Sequence, residues 1–152
     1  MLPDIAAIEA QNGEDNLLAF HLGISKAMAA HVMMGIVDSV GDIPFSQANN
    51  PSEYPSPSVD DDADVYAAAV AMLDEAESYL NAAGGGDDLF YGGDSSKWMK
   101  FVNTLRMRAM LTTGDYAGAL AQGGVIDTAD ADMQFNYGCL LYTSPSPRDN
   151  RT

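Results

Sequence analysis

Carboxylates recur at Asp60, Asp62 and Asp64, the alternation with which a calcium loop presents its oxygens. An EF-hand loop beginning at Asp60 requires glycine at position 65 and a bidentate glutamate at position 71, where the chain has Val65 and Ala71. The acidic run is therefore expected to cap a helix, with weak, irregular calcium binding as the alternative. His21 and His31 are the two histidines. On one helix they lie about 80° apart around the axis and about 15 Å apart along it, so they cannot share a metal ion. The glycines at 84–86 and 92–93 invite a phosphate-cradle reading, but Lys97 is preceded by Ser96 and followed by Trp98, which is not a P-loop. These glycines are expected to form turns.

Asp74, Glu75 and Glu77 could in principle supply a general acid and base. Their spacing places most of them opposite the apolar stripe of their own helix, so a solvated face is expected. Arg106 or Arg108 is expected to pair with an acid of that helix, for example Asp74. Sugar sites use aromatic faces flanked by polar groups, because a pyranose presents apolar C–H faces ringed by hydroxyls. Tyr54, Phe90 and Tyr91 fall in loops among Asp, Asn or Ser and are weak candidates for ligand contact. Trp98 is periodic with its helix and is expected in the core.

The elements that must position these groups follow from apolar spacing. A long helix is predicted from Glu14 to about Ser39, with Leu18, Leu22, Ala29, Val32 and Ile36 on one stripe and Phe20, Ile24 and Met28 beside it. Gly41 and Pro44 end it. A loop with three prolines between Asn49 and Ser58 leads to a second helix, whose buried face is Val65, Ala69, Met72, Leu73, Ala76 and Leu80. After the glycine-rich loop comes a third helix, capped by Asp94 or Ser95 and striped by Trp98, Phe101, Val102, Leu105 and Ala109. It is predicted to stop by Gly114, with a short fourth helix from Asp115 to about Gln122. The fold class is all-α, in antiparallel helix pairs with long loops.

Acidic residues outnumber basic ones 22 to 7, for a formal charge of −15, which disfavours nucleic acid and anionic lipid as partners. No apolar run is read as long enough to span a bilayer, and the first residues lack the basic and apolar regions of a secretory signal. Cys139 is the single cysteine, which excludes an intramolecular disulfide and a Cys-based metal site. Residues 1–138 read as one helical domain. Residues 139–152 supply two of the seven basic residues and two of the seven prolines without periodicity, and are expected to be a non-native or disordered tail.

Three ordered motifs carry a family resemblance. Gly41-Asp42-Ile43-Pro44-Phe45-Ser46 resembles the "GDIPYSEA" turn of the SusD/RagB-like family, in its branch of starch-binding proteins that associate with the outer membrane. Asp64-Val65-Tyr66 leading to Met72-Leu73-Asp74-Glu75-Ala76 is similar to that family's "DIYD…LDEA" helix. Tyr91-Gly92-Gly93-Asp94 followed by Lys97-Trp98-Met99-Lys100-Phe101-Val102-Asn103-Thr104-Leu105-Arg106-Met107-Arg108 is similar to its "YGGD…KWxKFANSLRLR" stretch.

The resemblance implies tetratricopeptide-like helix pairs, here a partial SusD-like fold of about a third of the usual length. It implies a lipoprotein on the outer face of a Gram-negative outer membrane, held by a lipid anchor outside this segment. Such a protein hands oligosaccharides or other nutrients to a TonB-dependent, SusC-like transporter. It implies binding without catalysis, and neither a cofactor nor a metal. The alternative is an intracellular helical-repeat scaffold for protein partners. A partial repeat is also expected to leave an apolar face that further repeats would cover.

Overall fold

The computed structural model describes residues 2–13, 16–82 and 85–135. Among them are five α-helices and no strand: α1 (Leu2–Gln11), α2 (Ala19–Val40), α3 (Asp62–Ala82), α4 (Ser95–Thr113) and α5 (Tyr116–Ala121), with one 3-10 turn at Ala129–Ala131. The all-α expectation is met. The proposed tail at 139–152 lies outside the described residues.

α2 and α3 form the central pair, and small side chains set their distance. Gly23, Ala27, Ala30, Ala69 and Ala76 are all buried. A Cβ built on Gly23 would stand 2.7 Å from Leu80 Cγ and 3.1 Å from the Ala76 carbonyl oxygen, so the helices touch closer than any larger residue allows. Met33, Met34 and Val37 of α2 fill the core with Val65, Leu73 and Leu80 of α3 and with Trp98, Val102 and Leu105 of α4. α1 closes one side of α2 through Ile5 and Ile8, against Leu22 and Ala29.

Burial on α3 and α4 follows the apolar spacing. Val65, Ala69, Leu73, Ala76 and Leu80 are buried, Met72 partly so, and all five expected α4 residues are inside. α2 departs from the prediction. It starts at Ala19, after a turn in which the Asn12 side-chain oxygen accepts the Leu18 amide at 3.0 Å. Leu22, Ala29 and Phe20 are buried as expected, but Val32 and Ile36 are 40% and 43% exposed, and the Gly23/Ala27/Ala30 face lies inside as well. The cause is that α2 is apolar nearly all round, so spacing alone does not say which side meets α3. α1 also carries no strong sequence signal, with only Ile5 and Ile8 as its apolar anchors on α2.

By length and composition α2 is also apolar enough to cross a bilayer, contrary to the reading of the sequence. More than half of that window is buried within this protein. The helix further carries Lys26, which reaches Glu9 of α1 at 3.1 Å and Glu75 of α3. It is the core helix of the described body.

Caps and clamps define the ends. Asp94 caps α4, accepting from the Ser96 and Lys97 amides, and Gly114 ends that helix in the left-handed region at φ 84°. Asp115 caps α5 through the Gly118 amide. In the acidic run only part of the capping reading holds. Asp61 accepts the Ala63 amide at 3.0 Å, and Asp62 and Asp64 lie in the first turn of α3. Asp60 turns away from the helix and accepts the Phe45 amide at 2.8 Å, the Ser46 amide at 2.9 Å and the Ser46 hydroxyl at 2.6 Å. With its own amide on the Ile43 carbonyl oxygen at 3.0 Å, it closes the long proline-containing loop at the base.

The α2–α3 contact predicts opposite outcomes at two glycines of one helix. Gly23→Val should destabilise the chain by about 1–3 kcal/mol through overpacking. Gly35→Ala, where an added Cβ meets nothing within 4 Å, should stabilise it by about 0.5–1 kcal/mol. Urea denaturation of the two variants checks both signs.

Candidate functional site

The loop before α4 is built on one carboxylate. Asp88 accepts from the amides of Phe90 at 2.7 Å, Tyr91 at 2.8 Å and Gly93 at 2.6 Å. Burial pushes the Asp88 carboxyl up, but the Tyr91, Gly93 and Phe90 amides outweigh it and hold it below the usual carboxylate range. The buried Trp98 Nε1 adds to the donors' field while lying outside hydrogen-bond geometry. Gly93 has φ 90°, and a Cβ there would stand 2.3 Å from the Gly86 carbonyl oxygen, so only glycine closes this turn.

Folding the loop this way drives two aromatic rings onto the indole of Trp98. Tyr91 meets it edge-on at 5.1 Å between ring centres and Phe90 at 6.0 Å. Phe101 completes the cluster from inside at 5.7 Å, and Phe135 meets Phe90 at 6.1 Å from the surface. Phe90 and Tyr91 thus come together, each half-buried, while Tyr54 sits partly exposed in the loop between α2 and α3 and does not line the same cleft.

A strap, residues 124–135, crosses one face of α4 and supplies the opposite wall. Asn103, Thr104, Lys100 and Lys97 hold it in turn. The Asn103 amide donates to the Gly124 carbonyl oxygen at 3.3 Å, and Thr104 Oγ1 accepts the Ile126 amide at 2.9 Å. Lys100 pairs with Asp127 at 2.6 Å, and Lys97 donates to the Asp130 carbonyl oxygen at 2.7 Å. Tyr91 Oη finishes the seam by donating to the Ala131 carbonyl oxygen at 2.8 Å. Burial first, then the Asp132 and Asp88 carboxylates, push the Tyr91 hydroxyl up to about 12, so it remains a donor throughout the physiological range.

Between loop and strap lies a cleft of about 270 Å³ lined by Phe90, Tyr91, Lys97, Asp130, Asp132 and Gln134. Two aromatic side chains, two carboxylates, an amide and an ammonium are the groups that receive a polyhydroxylated ring. The sequence pointed to Phe90 and Tyr91 and missed the strap. Asp127, Asp130 and Asp132 follow no helical spacing, and only the fold brings them to Lys100, Lys97 and Tyr91.

The remaining candidate groups are engaged elsewhere. His21 Nε2 lies 3.2 Å from the Asp87 carbonyl oxygen, whereas His31 stacks edge-on against Phe101 at 5.9 Å. Burial first, then the Arg108 charge, lower the His31 pKa. Asp74 and Glu77 share the Arg106 guanidinium at 2.7 and 2.5 Å, and Glu75 pairs with Lys26. The expected Arg106–Asp74 pair is present, and Asp74 and Glu75 lie on the exposed face as expected, each with an ion-pair partner. Arg108 pairs with Asp38 of α2. Every lysine and arginine among the described residues is thus in an ion pair, leaving no free basic patch there for phosphate. Carboxylate oxygens of Asp42, Asp61 and Asp62 come within 4.8 Å of one another at the surface. Asp42 and Asp61 there accept the Asp62 and Ala63 amides.

Close antiparallel helices carrying a loop-and-strap cleft define the class of protein, an all-helical scaffold with its polar site in the connections. The family model described as starch-binding associating with outer membrane matches residues 2–138, and the chain belongs to this SusD-like family. A SusD homologue from Bacteroides uniformis superposes with a TM-score of 0.72 at 21% identity, covering 88% of this chain and 30% of that one. A SusD/RagB family protein from Bacteroides thetaiotaomicron gives 0.70 at 27% identity, covering 83% and 29%. A SusD homologue from Bacteroides fragilis gives 0.69 at 16% identity, covering 86% and 31%. The chain spans about a third of the length of these solved relatives. No curated protein matches it by sequence.

Asp88 carries a testable pH signature. Asp88→Ala leaves three loop amides without their acceptor and should cost about 1–3 kcal/mol at pH 7. Because the folded-state pKa is depressed, the carboxylate's contribution is full above the unfolded value near 4 and is lost as pH falls through the folded value. The stability gap between the native chain and Asp88→Asn should therefore be constant from about pH 5 to 7 and shrink toward pH 2. Urea midpoints across that range check it.

Proposed function

We propose that the protein containing this chain captures oligosaccharides at the outer face of a Gram-negative outer membrane and passes them to a TonB-dependent, SusC-like transporter. A lipid anchor outside this segment would hold it there. The observation that carries this reading is the family match over residues 2–138, whose description joins starch binding to outer-membrane association. The cleft between loop and strap supports it. Its volume of about 270 Å³ suits one sugar ring, and its lining is mostly polar, so Asp130, Asp132 and Gln134 would receive hydroxyls while Phe90 and Tyr91, packed against Trp98, offer it little apolar surface. Tyr54, exposed on its loop, would contact only a longer ligand that reaches beyond the cleft.

The role is binding without bond cleavage. Asp74, Glu75 and Glu77, the carboxylates whose clustering suggests acid–base work, are held by Arg106 and Lys26. The Asp130 and Asp132 carboxylates in the cleft favour neutral glycans over anionic ones.

Titration calorimetry of the full-length protein with a panel of soluble glycans, beginning with maltooligosaccharides, tests the reading. Saturable binding to at least one glycan is expected, with no new reducing ends released. Gln134→Ala and Asp132→Asn should each weaken it by about tenfold, about 1.4 kcal/mol. Absence of binding across the panel would refute capture. Unchanged affinity in both variants would remove the site from this cleft.

A further inference from the structure

The loop-and-strap cleft has its donors engaged and an acceptor left over. The Lys97 ammonium donates to the Asp130 carbonyl oxygen at 2.7 Å and pairs with the Asp130 carboxylate at 3.7 Å, and the Tyr91 hydroxyl donates to the Ala131 carbonyl oxygen at 2.8 Å. The Phe90 and Tyr91 amides both go to Asp88. Asp132, exposed in the same cleft, is different. The lysines and arginines among the described residues pair with other acids, so its carboxylate has no cationic partner among them. The lining therefore sets two carboxylates against one ammonium that is already paired. Burial first, then the Asp132 and Asp88 carboxylates, push the Tyr91 hydroxyl up to about 12, so the negative field of Asp132 reaches the wall that Tyr91 forms.

We propose that this cleft selects sugars carrying a free amino group over neutral sugars of the same shape, and that Asp132 determines the preference. The inference rests on the reading that the cleft captures glycans, and adds the class of sugar. An ammonium group brings three N–H donors and no acceptor, whereas a hydroxyl brings both. It therefore suits a cleft whose open groups are mainly acceptors: the Asp132 carboxylate, the lone pairs of Tyr91 Oη and the amide oxygen of Gln134. A hydrogen bond from an ammonium to a carboxylate is also about twice as strong as one between neutral groups. Because Asp132 is exposed, water screens the pair, and the preference is about three- to tenfold rather than many orders of magnitude. N-acetylation removes the charge and should abolish it.

Titration calorimetry of the full-length protein with glucose, glucosamine and N-acetylglucosamine, each as the free sugar and as its β-linked tetramer, tests this at about pH 6, where an amine is protonated. The amine should bind about three- to tenfold more tightly than the hydroxyl and acetamide counterparts, and the margin should narrow as salt is added. Asp132→Asn should bring the ratio of amine to neutral affinity down to about one. Asp64→Asn, which removes an exposed acid from the first turn of α3, should leave that ratio unchanged and so separates the cleft from the general charge of the chain. Neutral sugars that bind as tightly as their amine counterparts, or a neutral glycan that binds where no amine does, would overturn the proposal. So would a ratio that survives Asp132→Asn or falls equally in Asp64→Asn. Absence of binding by every sugar, neutral or amine, would instead refute capture itself, and the preference with it.

Discussion

The close approach of α2 to α3 is the constraint on which the rest of the structure depends. Gly23 packs against Leu80 and Ala76 with no room for a side chain, and Ala27, Ala30 and Ala69 extend the small-residue contact into the core. Drawing the backbones together lets the larger residues at the far end, Met33, Met34 and Val37, meet Trp98, Val102 and Leu105 of α4. The same register places Lys26 beside Glu9 and Glu75, so that a lysine 8% exposed still has two anionic partners. A lone buried ammonium would cost far more than the pairs return. Glu9 and Glu75 therefore permit this packing rather than drive it.

Acidic side chains do a large part of the structural work outside the helices. Asp60 closes the α2–α3 connection, Asp88 shapes the loop before α4, and Asp94 and Asp115 cap α4 and α5. In each case a carboxylate collects backbone amides that would otherwise have no acceptor in a turn. The excess of Asp and Glu, which the composition offers only as a solvated surface, thus includes a set of internal fasteners. It also explains how long glycine- and proline-containing connections hold one shape and present a defined cleft.

Legibility in the sequence tracks how amphipathic each element is. α3 and α4 have one apolar face each, and their buried residues and the Asp94 cap could be read from spacing alone. Val32 and Ile36 were misplaced because α2 offers apolar residues on every side, and burial is decided by where Gly23 and Ala27 permit contact. Asp60 was misread because capping and cross-loop bonding draw on the same residue type, and only the return of the chain to Phe45 and Ser46 tells them apart. Phe90 and Tyr91 were visible as loop aromatics. Their partners Asp130, Asp132 and Gln134 were not, since a strap without periodicity has no local signal. Family motifs located the turns and helix starts, and they coincide with the clamps. Asp42 of the first motif accepts the Asp62 amide, and Asp94 of the third caps α4.

If the α2–α3 contact is what holds the body together, it should be the last part to open. Native-state hydrogen exchange resolved by residue measures this directly. The account predicts that amides in the middle turns of α2, residues 26–37, and of α3, residues 66–80, exchange most slowly and only through global unfolding. The loop of 85–94 and the strap of 124–135 should open first. Slowest exchange in α4, or exchange of the α2 amides through local fluctuations while α4 stays protected, would contradict it.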